Sequence, residues 1–253
     1  MTRADGLRAR LAAGEPLLAL FVKLAAPDAV HTAALGGADI LIVDLEHSQM
    51  TEAEARLACR LADALEVATV VRIPELDRGL VNRLLEAGAT GIQLSTVTRV
   101  AEVEALLSAA HYAPRGTRSF SLGHVQAGYG LVPSAEYLTR LRPGPLLVAQ
   151  VETAETDDPV EDIAGAGADV VFVGTEDLRV ACEARGLDPG ERGRHIAKAV
   201  LSAGTALGWF AGTDEALRAA AEAGARYVAV GSDLALLRGA IAGRVADARM
   251  LLT

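Results

Sequence analysis

The most constraining feature of this 253-residue chain is an eightfold alternation between short apolar runs and longer amphipathic stretches. The short runs are rich in Leu, Ile and Val, and the stretches between them place Ala, Leu, Glu and Arg at helical spacing. Continuous apolar runs of this kind are typical of strands in a buried parallel sheet, each followed by a helix. The eight predicted strands cover residues 17–21, 40–43, 69–72, 91–94, 146–151, 170–173, 208–210 and 227–230.

Eight successive βα units favour a closed (β/α)8 barrel, the TIM barrel, over an open doubly wound sheet. No GxGxxG motif follows the first strand, and no linker divides the sequence. The length and the 51% hydrophobic content fit a single domain over residues 1–253. Two helical segments are predicted after the last strand, at 234–241 and 243–252, and the second is an extra C-terminal helix that barrel closure does not require.

Charge and composition exclude several classes of partner. The formal net charge is −9 and the basic residues form no cluster, so we expect neither nucleic acid nor a membrane surface as a partner. The sequence has no apolar leader and no membrane-length apolar run, which predicts a cytoplasmic protein. Cys59 and Cys182 stand in predicted helices without metal-ligand spacing, and we interpret them as reduced, buried thiols.

Active sites of TIM barrels lie at the C-terminal ends of the strands, so polar residues at those positions are candidates. Four strands lead into such residues, and carboxylates, one histidine and one arginine are therefore expected to converge on one rim. The candidates are Asp44, His47, Arg72, Gln150, Glu152, Thr175, Glu176 and Asp177.

These residue types suit one reaction. Glu152 and Asp177 are hard oxygen ligands which, with substrate oxygens and waters, suit Mg²⁺, Mn²⁺ or Co²⁺. A metal bound there polarises a 2-oxo acid and stabilises its enolate, and Arg72 is a candidate stabiliser of the same oxyanion. His47, with Asp44 three residues before it, is a candidate general base. Each residue also has a structural alternative: a loop cap for Asp44, a strand-end ion pair for Arg72 and a helix cap for Asp177.

Six ordered blocks between about residues 17 and 236 resemble the HpcH/HpaI-type class II metal-dependent aldolases, which are related to the citrate lyase β-chain. The blocks are DLEH at 44–47, VRIP at 71–74, EAGATGI at 86–92, YAPRGTR at 112–118, QVET at 150–153 and VFVGTEDL at 171–178. The resemblance implies that Glu152 and Asp177 hold the metal, that His47 and Asp44 form the base system, and that Arg72 stabilises a pyruvate enolate.

By the same resemblance, Gln150 lies beside the 2-oxo acid, and the backbone around Thr175 and Glu176 receives its carboxylate at a helix N-terminus. The long connection 112–145 is interpreted as a binding loop. It brings Arg118 and His124 close to the expected position of the second substrate. The resemblance also implies a homo-oligomer, a hexamer or dimer, with the final helix exchanged between subunits.

The chain departs from the family pattern at several positions. Family members usually carry Asp at Glu86, Pro at Ser95, Gly at Ser119, and Gly-Pro-x-Asp-Leu-Ser over 174–179. Glu176 adds negative charge beside the expected carboxylate site. Arg179 either compensates that charge or binds a second acidic group of the substrate.

We therefore expect a divalent-metal-dependent carbon–carbon lyase or aldolase acting on a 2-oxo acid and an aldehyde or other carbonyl partner. Three alternatives stay open at this point. The first is a condensing enzyme that takes oxaloacetate or an acyl-CoA ester. The second is a phosphate-binding barrel, because Gly212-Thr213 and Gly231-Ser232 follow strands seven and eight. The third is a non-catalytic barrel that only binds a 2-oxo acid.

Overall fold

A computed structural model of the protein describes residues 2–252, in which eight parallel strands close into a barrel in chain order. The first strand pairs with both the second and the eighth, which completes the ring. The predicted TIM barrel is confirmed, and every predicted strand overlaps an observed one. The strands are β1 Leu17–Val22, β2 Ile40–Asp44, β3 Ala68–Ile73, β4 Gly91–Leu94, β5 Leu146–Val151, β6 Val170–Val173, β7 Ala206–Phe210 and β8 Tyr227–Ser232.

Helices surround the barrel, and several begin with a capping residue in the sequence. Thr2 and Thr51 each form a reciprocal capping box with the acid three residues later, which satisfies backbone N–H groups of the first turn. The helices are α1 Arg3–Ala12, α2 Pro27–Leu35, α3 Glu52–Ala64, α4 Arg78–Glu86, α5 Val100–Ala110, α6 Ser134–Arg140, α7 Val160–Gly165, α8 Thr175–Glu183, α9 Pro189–Ser202, α10 Asp214–Glu222 and α11 Asp233–Leu252.

The core has two layers. One lies between the strands and the outer helices and contains both cysteines, which are buried and free as predicted; burial raises the pKa of the Cys59 thiol to about 12. The other fills the barrel interior, where Phe172 packs edge-on against Phe21 and Tyr227.

Helix α1 was not predicted from the sequence, and it covers the N-terminal end of the barrel. Its Ala4 and Leu7 belong to the interior core. Its Arg8 donates to the carboxylate of Asp169, just before β6, and to the carbonyl of Gly144, just before β5. We call this end of the barrel the base, and the opposite end, where the strands finish, the mouth.

The C-terminal helix is present, but its predicted division is wrong. The segments 234–241 and 243–252 form one continuous helix, α11, which runs through Gly239 and Gly243, and none of its described residues is buried. A glycine inside a helix costs only about 1 kcal/mol relative to alanine, so a single glycine does not require a break. Among residues 2–252, no helix is both long and apolar enough to cross a membrane.

The long connection between α5 and β5 lies at the base. It contains a 3-10 helix, Val125–Gly130, and α6, and it leads into the first residue of β5. In a parallel barrel, a segment that leads from a helix into the next strand ends at the N-terminal face of the sheet. This placement decides where the polar residues of the connection lie relative to the mouth.

Candidate active site

A buried ion pair joins β2 and β3 at the mouth. Asp44 and Arg72 are register partners on the two strands. Nε of Arg72 donates to Oδ1 of Asp44 at 2.9 Å, and Nη2 donates to Oδ2 at 2.6 Å. Burial alone would raise the pKa of Asp44, but the hydrogen bonds and charge of Arg72 lower it below its usual range. The two-pronged contact fixes the guanidinium plane, as carboxylate–arginine pairs of this geometry do.

Two further charged groups join this pair. Nζ of Lys23 lies 3.2 Å from Oδ2 of Asp44, and Oε2 of Glu46 lies 3.2 Å from Nη1 of Arg72. The hydroxyl of Ser95 donates to Glu46 at 2.7 Å. We call Lys23, Asp44, Glu46 and Arg72 the charge cluster. Its two cations and two carboxylates balance one another.

Glu152, just after the end of β5, is buried, and its hydrogen bonds come from uncharged groups. Its Oε1 accepts both the backbone N–H and the hydroxyl of Thr96 at 2.9 Å, and the amide of Gln150 donates to Oε2. Within residues 2–252, no Lys, Arg or His approaches this carboxylate within 4.0 Å. Burial raises the pKa of Glu152, and the charges of Glu46 and Asp177 raise it further.

The support for Glu152 comes from two neighbouring strands. The amide of Gln93 on β4 donates to the side-chain oxygen of Gln150 on β5, which fixes the direction of the Gln150 amide. Thr96 follows β4 and has a φ of 51°, a left-handed conformation that is strained for a β-branched residue. The strain is compensated by the two hydrogen bonds that Thr96 gives to Glu152.

His47 lies at the open side of the mouth, with its side chain half exposed. Its Nε2 is 3.8 Å from Oε2 of Glu46 and 3.8 Å from Oδ2 of Asp177. Asp44 accepts the backbone N–H of His47 at 3.2 Å, so it positions the loop rather than contacting the ring. The acidic neighbours of the ring in the described chain are thus Glu46 and Asp177.

The turn from β6 into α8 requires a glycine. A Cβ atom at Gly174 would lie 2.2 Å from Oε2 of Glu152, so any larger residue would displace that carboxylate. Glu176 is mostly exposed and lies 3.6 Å from Arg179, which also pairs with Glu183 at 2.8 Å. Arg179 therefore compensates the charge of Glu176 and does not line the cavity at the mouth.

That cavity has a volume of about 150 Å³. The rings of Phe21, Phe172 and Phe210 form its apolar wall. Six predicted residues line it. Asp44 contacts one of them, Arg72, and Glu152 contacts another, Gln150. The six are His47, Arg72, Gln150, Thr175, Glu176 and Asp177.

Arg118 and His124 lie elsewhere. Arg118 is buried beside Asn82, to which its Nε donates at 3.0 Å, and its guanidinium stacks 4.6 Å from the Tyr112 ring. It lines a separate cavity of about 390 Å³ at the base, which shares no lining residue with the mouth. His124 packs against Tyr137. Within one chain, these two residues are therefore not close to the second-substrate position expected from the sequence.

The strand-end rule would have found the residues that sequence reasoning missed. Strand β1 continues to Val22, one residue beyond its predicted end, so Lys23 is the first residue after it. Strand β4 ends at Leu94, so Ser95 and Thr96 occupy the mouth in the same way. In the part of the chain that the structure describes, no group of three His, Cys, Asp or Glu side chains is arranged to hold a metal ion. The predicted metal ligands remain the pair Glu152 and Asp177.

The fold and the convergence of acids and arginine on one rim define a TIM-barrel enzyme with its polar site at the mouth. The chain belongs to the HpcH/HpaI aldolase/citrate lyase family, whose pattern matches residues 17–240. This confirms the family resemblance found in the sequence.

Named relatives agree with this family. The chain is 32% identical over 249 residues to a hydroxypyruvate/pyruvate aldolase of Sagittula stellata, covering 95% of this chain and 96% of the relative. It is 29% identical over 238 residues to a 5-keto-4-deoxy-D-glucarate aldolase of Enterobacter sp., covering 92% of each. A crystal structure of a family protein from Burkholderia cenocepacia superposes with a TM-score of 0.88 at 28% identity, covering 97% of this chain and 99% of the other.

Proposed function

We propose that the chain is a divalent-metal-dependent aldolase that makes or breaks a carbon–carbon bond next to the carboxylate of a 2-oxo acid, with an aldehyde or other carbonyl compound as partner. The observation that carries this proposal is the buried carboxylate of Glu152, which has no cationic partner among residues 2–252, at the same mouth as the rigid Arg72–Asp44 pair. Glu152 would be a metal ligand, and Arg72 would supply a fixed positive charge for an oxyanion. The names of the relatives support the same reaction class.

The donor set at the mouth fits a divalent cation. Glu152 and Asp177 would hold it, and the negative charge of Glu46 contributes to the raised pKa of Glu152. Carboxylate oxygens with substrate and water oxygens suit Mg²⁺, Mn²⁺ or Co²⁺. When bound, such an ion supplies Lewis-acid polarisation of the keto group of the 2-oxo acid.

Arg72 would stabilise the enolate oxygen. Its guanidinium is held between Asp44 and Glu46 and lines the cavity, so it needs little reorganisation when negative charge develops. The first backbone N–H groups of α8, at Thr175 and Glu176, would receive the substrate carboxylate, because a helix N-terminus leaves such donors without intrahelical partners.

His47 would move the proton. In the cleavage direction, Nε2 takes the proton of the substrate hydroxyl, the carbon–carbon bond breaks, and its electron pair forms the enolate while the aldehyde leaves. The same proton then passes from Nε2 to the enolate carbon, which releases the 2-oxo acid. In the addition direction Nε2 takes that carbon-bound proton and gives it to the new hydroxyl. The half-exposed ring next to Glu46 and Asp177 can exchange that proton with solvent.

Exchange of the pyruvate methyl protons with D₂O, followed by NMR, tests the enolate half-reaction without any knowledge of the second substrate. Metal is added as Mg²⁺, Mn²⁺ or Co²⁺, with EDTA in the control. We expect metal-dependent exchange that falls by roughly 100-fold or more in Arg72→Ala and in His47→Ala. Lys198→Met, on the exposed face of α9, is the matched surface control. Wild-type protein that exchanges neither pyruvate nor oxaloacetate with any of these metals would contradict the proposal.

We also propose that the chain forms a homo-oligomer through α11. This helix contributes no buried residue, and Leu237, Ile241 and Val245 form a stripe at four-residue spacing in which each side chain is about half exposed. An apolar stripe of this kind is typical of a protein–protein contact. Light scattering should give a mass several times that of one chain, and Leu237→Ser with Ile241→Ser should lower it. A monomeric wild-type protein would exclude this interface.

A further inference from the structure

The cavity of about 390 Å³ at the base of the barrel lies outside the site proposed above, and we call it the base cavity. It shares no lining residue with the cavity at the mouth. Apolar side chains from α1, α4 and α5 line it together with the rings of Tyr112 and Tyr137. A cavity of this size with a mixed lining is typical of a site for a small organic molecule.

Unsatisfied polar groups are concentrated around the base cavity. Within residues 2–252, ten buried side-chain nitrogen and oxygen atoms have no hydrogen-bond partner, and four of the ten belong to residues that line this cavity. The four atoms are Nη2 of Arg118, the hydroxyl oxygens of Tyr112 and Tyr137, and Nε2 of His111. Buried polar groups in folded proteins are nearly always hydrogen-bonded, so four exceptions around one cavity call for a common explanation.

Three of these four residues carry hydrogen-bond donors, and they are close to one another. The guanidinium of Arg118 stacks 4.6 Å from the centroid of the Tyr112 ring, and the Tyr112 and Tyr137 centroids are 6.4 Å apart. In the described part of the chain, this guanidinium donates one side-chain hydrogen bond, from Nε to Asn82 at 3.0 Å. A guanidinium and two hydroxyl groups suit a carboxylate, which accepts hydrogen bonds and donates none.

The charge of the base cavity favours a monoanion. Among its described lining residues there are three arginines and two carboxylates, which leaves one positive charge in excess. Arg3 and Asp63 pair with each other, so the excess belongs to the remaining arginines. Burial lowers the pKa of His111, and its Nδ1 donates to the carbonyl of Leu107 at 2.8 Å. The ring of His111 is therefore neutral at pH 7 and does not add to the charge.

Arg118 is the residue that most needs an anion. Its side chain is buried, and among residues 2–252 no carboxylate lies within 4.0 Å of it. A buried charge without a partner is costly, because the lost hydration is not replaced. A bound carboxylate would supply both the counter-charge and an acceptor for the free N–H groups, and such charge-assisted hydrogen bonds are among the strongest in proteins.

We infer that the base cavity is a binding site for a small organic monocarboxylate that carries an aromatic or other apolar body. Arg118 and the hydroxyl groups of Tyr112 and Tyr137 would donate to the carboxylate, while the apolar walls would cover the body of the ligand. Because the site is separate from the mouth, its ligand is not a substrate and binds without metal.

Benzoate and benzamide are matched probes, because they have nearly the same shape and differ in charge. Calorimetry in EDTA at pH 7 measures both dissociation constants. We expect benzoate to bind about 10- to 100-fold more tightly than benzamide, as for other hydrogen bonds to a charged group. Acetate, which lacks the ring, should bind roughly 10-fold more weakly than benzoate or worse, because it leaves the apolar walls uncovered.

Three variants locate the bound benzoate. Arg118→Met should lower the benzoate affinity by about 10- to 100-fold, close to that of benzamide. Tyr137→Phe removes one donor and keeps the ring, and it should lower the affinity by about 3- to 10-fold. Arg218→Met, on the exposed face of α10, is the matched control for the loss of a positive charge and should bind benzoate as wild-type protein does. Thermal unfolding with and without benzoate gives a second reading, because a ligand that binds folded protein raises the Tm.

Several results would overturn the inference. Wild-type protein that binds benzoate no more tightly than benzamide or acetate would exclude a carboxylate site with an apolar wall. Folded Arg118→Met protein with wild-type affinity would place the benzoate elsewhere, and if this variant did not fold, unchanged affinity in Tyr137→Phe would lead to the same conclusion. Absence of benzoate binding to wild-type protein would mean that Arg118 is paired from a neighbouring subunit. None of these results bears on the proposed function, which the proton-exchange experiment tests at the mouth.

Discussion

Each end of the barrel has a buried arginine, and the two arginines differ in the groups that they contact. Arg72 at the mouth is 5% exposed and contacts two carboxylates, one of them through a two-pronged hydrogen bond. Arg118 at the base is 8% exposed and contacts the amide of Asn82 and the ring of Tyr112. Its Nη2 has no hydrogen-bond partner in the described part of the chain. Among the described residues, no carboxylate lies within 4.0 Å of Arg118.

The difference follows from how each residue reaches its position. Arg72 stands on a strand, where the parallel register places Asp44 beside it on the neighbouring strand. Arg118 stands in a connection between a helix and a strand, where no register supplies a partner. Burial of an arginine is therefore a poor guide to catalytic function. A fixed set of counter-charges that leaves one face of the guanidinium towards a cavity is a better one.

The largest expected effect is on stability and compares Arg72→Met with Arg118→Met. Removing Arg72 leaves the buried carboxylate of Asp44 with Lys23 as its remaining cationic partner among residues 2–252, and we expect a loss of about 3–5 kcal/mol in the free energy of unfolding. Removing Arg118 deletes a buried charge together with one hydrogen bond and one ring contact, so these contributions oppose each other and the net change should stay within about 1 kcal/mol. Urea denaturation at pH 7 measures both.

Equal losses in the two variants would remove the distinction between the two ends. That result would mean that Arg118 has a counter-charge from a neighbouring subunit in solution. Repeating the denaturation with the variant that carries Leu237→Ser and Ile241→Ser would then show whether the effect depends on assembly.

The fold could be predicted where burial leaves a clear pattern. The eight strands are buried on both faces, so each is a continuous apolar run. Helix α1 buries only Ala4 and Leu7, which is too short a stripe to stand out among its charged residues. The predicted break before Gly243 was wrong because the rest of α11 has high helix propensity and tolerates both Gly239 and Gly243.

The site could be predicted only as far as the strand ends were known. Polar residues at or just after the C-terminal end of a strand are expected at the mouth, and this rule placed Arg72, Gln150 and Asp177 at the cavity. The same topology implies that residues before a strand lie at the base, and this is where Arg118 is found. Contacts such as that of Thr96 with Glu152 depend on side-chain and loop geometry, which periodicity does not contain.

A second comparison uses one glycine at each end. In Gly174→Ala, the new Cβ would lie 2.2 Å from Oε2 of Glu152, and the carboxylate must move. We expect metal affinity to fall by about 10- to 100-fold with a modest loss of stability.

In Gly116→Ala, the new Cβ would lie 2.4 Å from the carbonyl oxygen of Ser108 and 2.5 Å from that of His111, so the backbone must move. We expect that variant to lose about 1–3 kcal/mol of stability and to keep its metal affinity.

Gly165→Ala is the matched control, because a Cβ at Gly165 would meet no atom within 4 Å. Calorimetric titration with Mn²⁺ gives the affinity, and urea denaturation gives the stability. If Gly174→Ala bound Mn²⁺ as tightly as wild-type protein, Glu152 would not be a metal ligand.

The smallest expected effect is on the pH dependence of stability, and it comes from one buried titratable group at each end of the barrel. Burial raises the pKa of Glu152 at the mouth and lowers the pKa of His111 at the base, because it disfavours the charged form of each. Folded protein therefore retains a proton on Glu152 at a pH where the unfolded chain has lost it. The stability of metal-free wild-type protein relative to Glu152→Gln should fall as the pH rises from the ordinary glutamate pKa of about 4.3 through the raised value.

For His111, at the base of the barrel, we expect stability to change with pH in the opposite direction. Folded protein resists protonation of His111, so the unfolded chain binds the extra proton below the ordinary histidine pKa of about 6.5. The control variant is His111→Asn, because its side-chain amide can still donate to the carbonyl of Leu107 as Nδ1 of His111 does. The stability of wild-type protein relative to this variant should therefore fall as the pH decreases. Urea denaturation in EDTA between pH 4 and 8 measures both slopes. Adding Mn²⁺ should reverse the pH dependence of stability that is due to Glu152, because only the ionised carboxylate binds the ion. It should leave the pH dependence that is due to His111 unchanged. A metal effect on both slopes would mean that the two ends of the barrel are coupled.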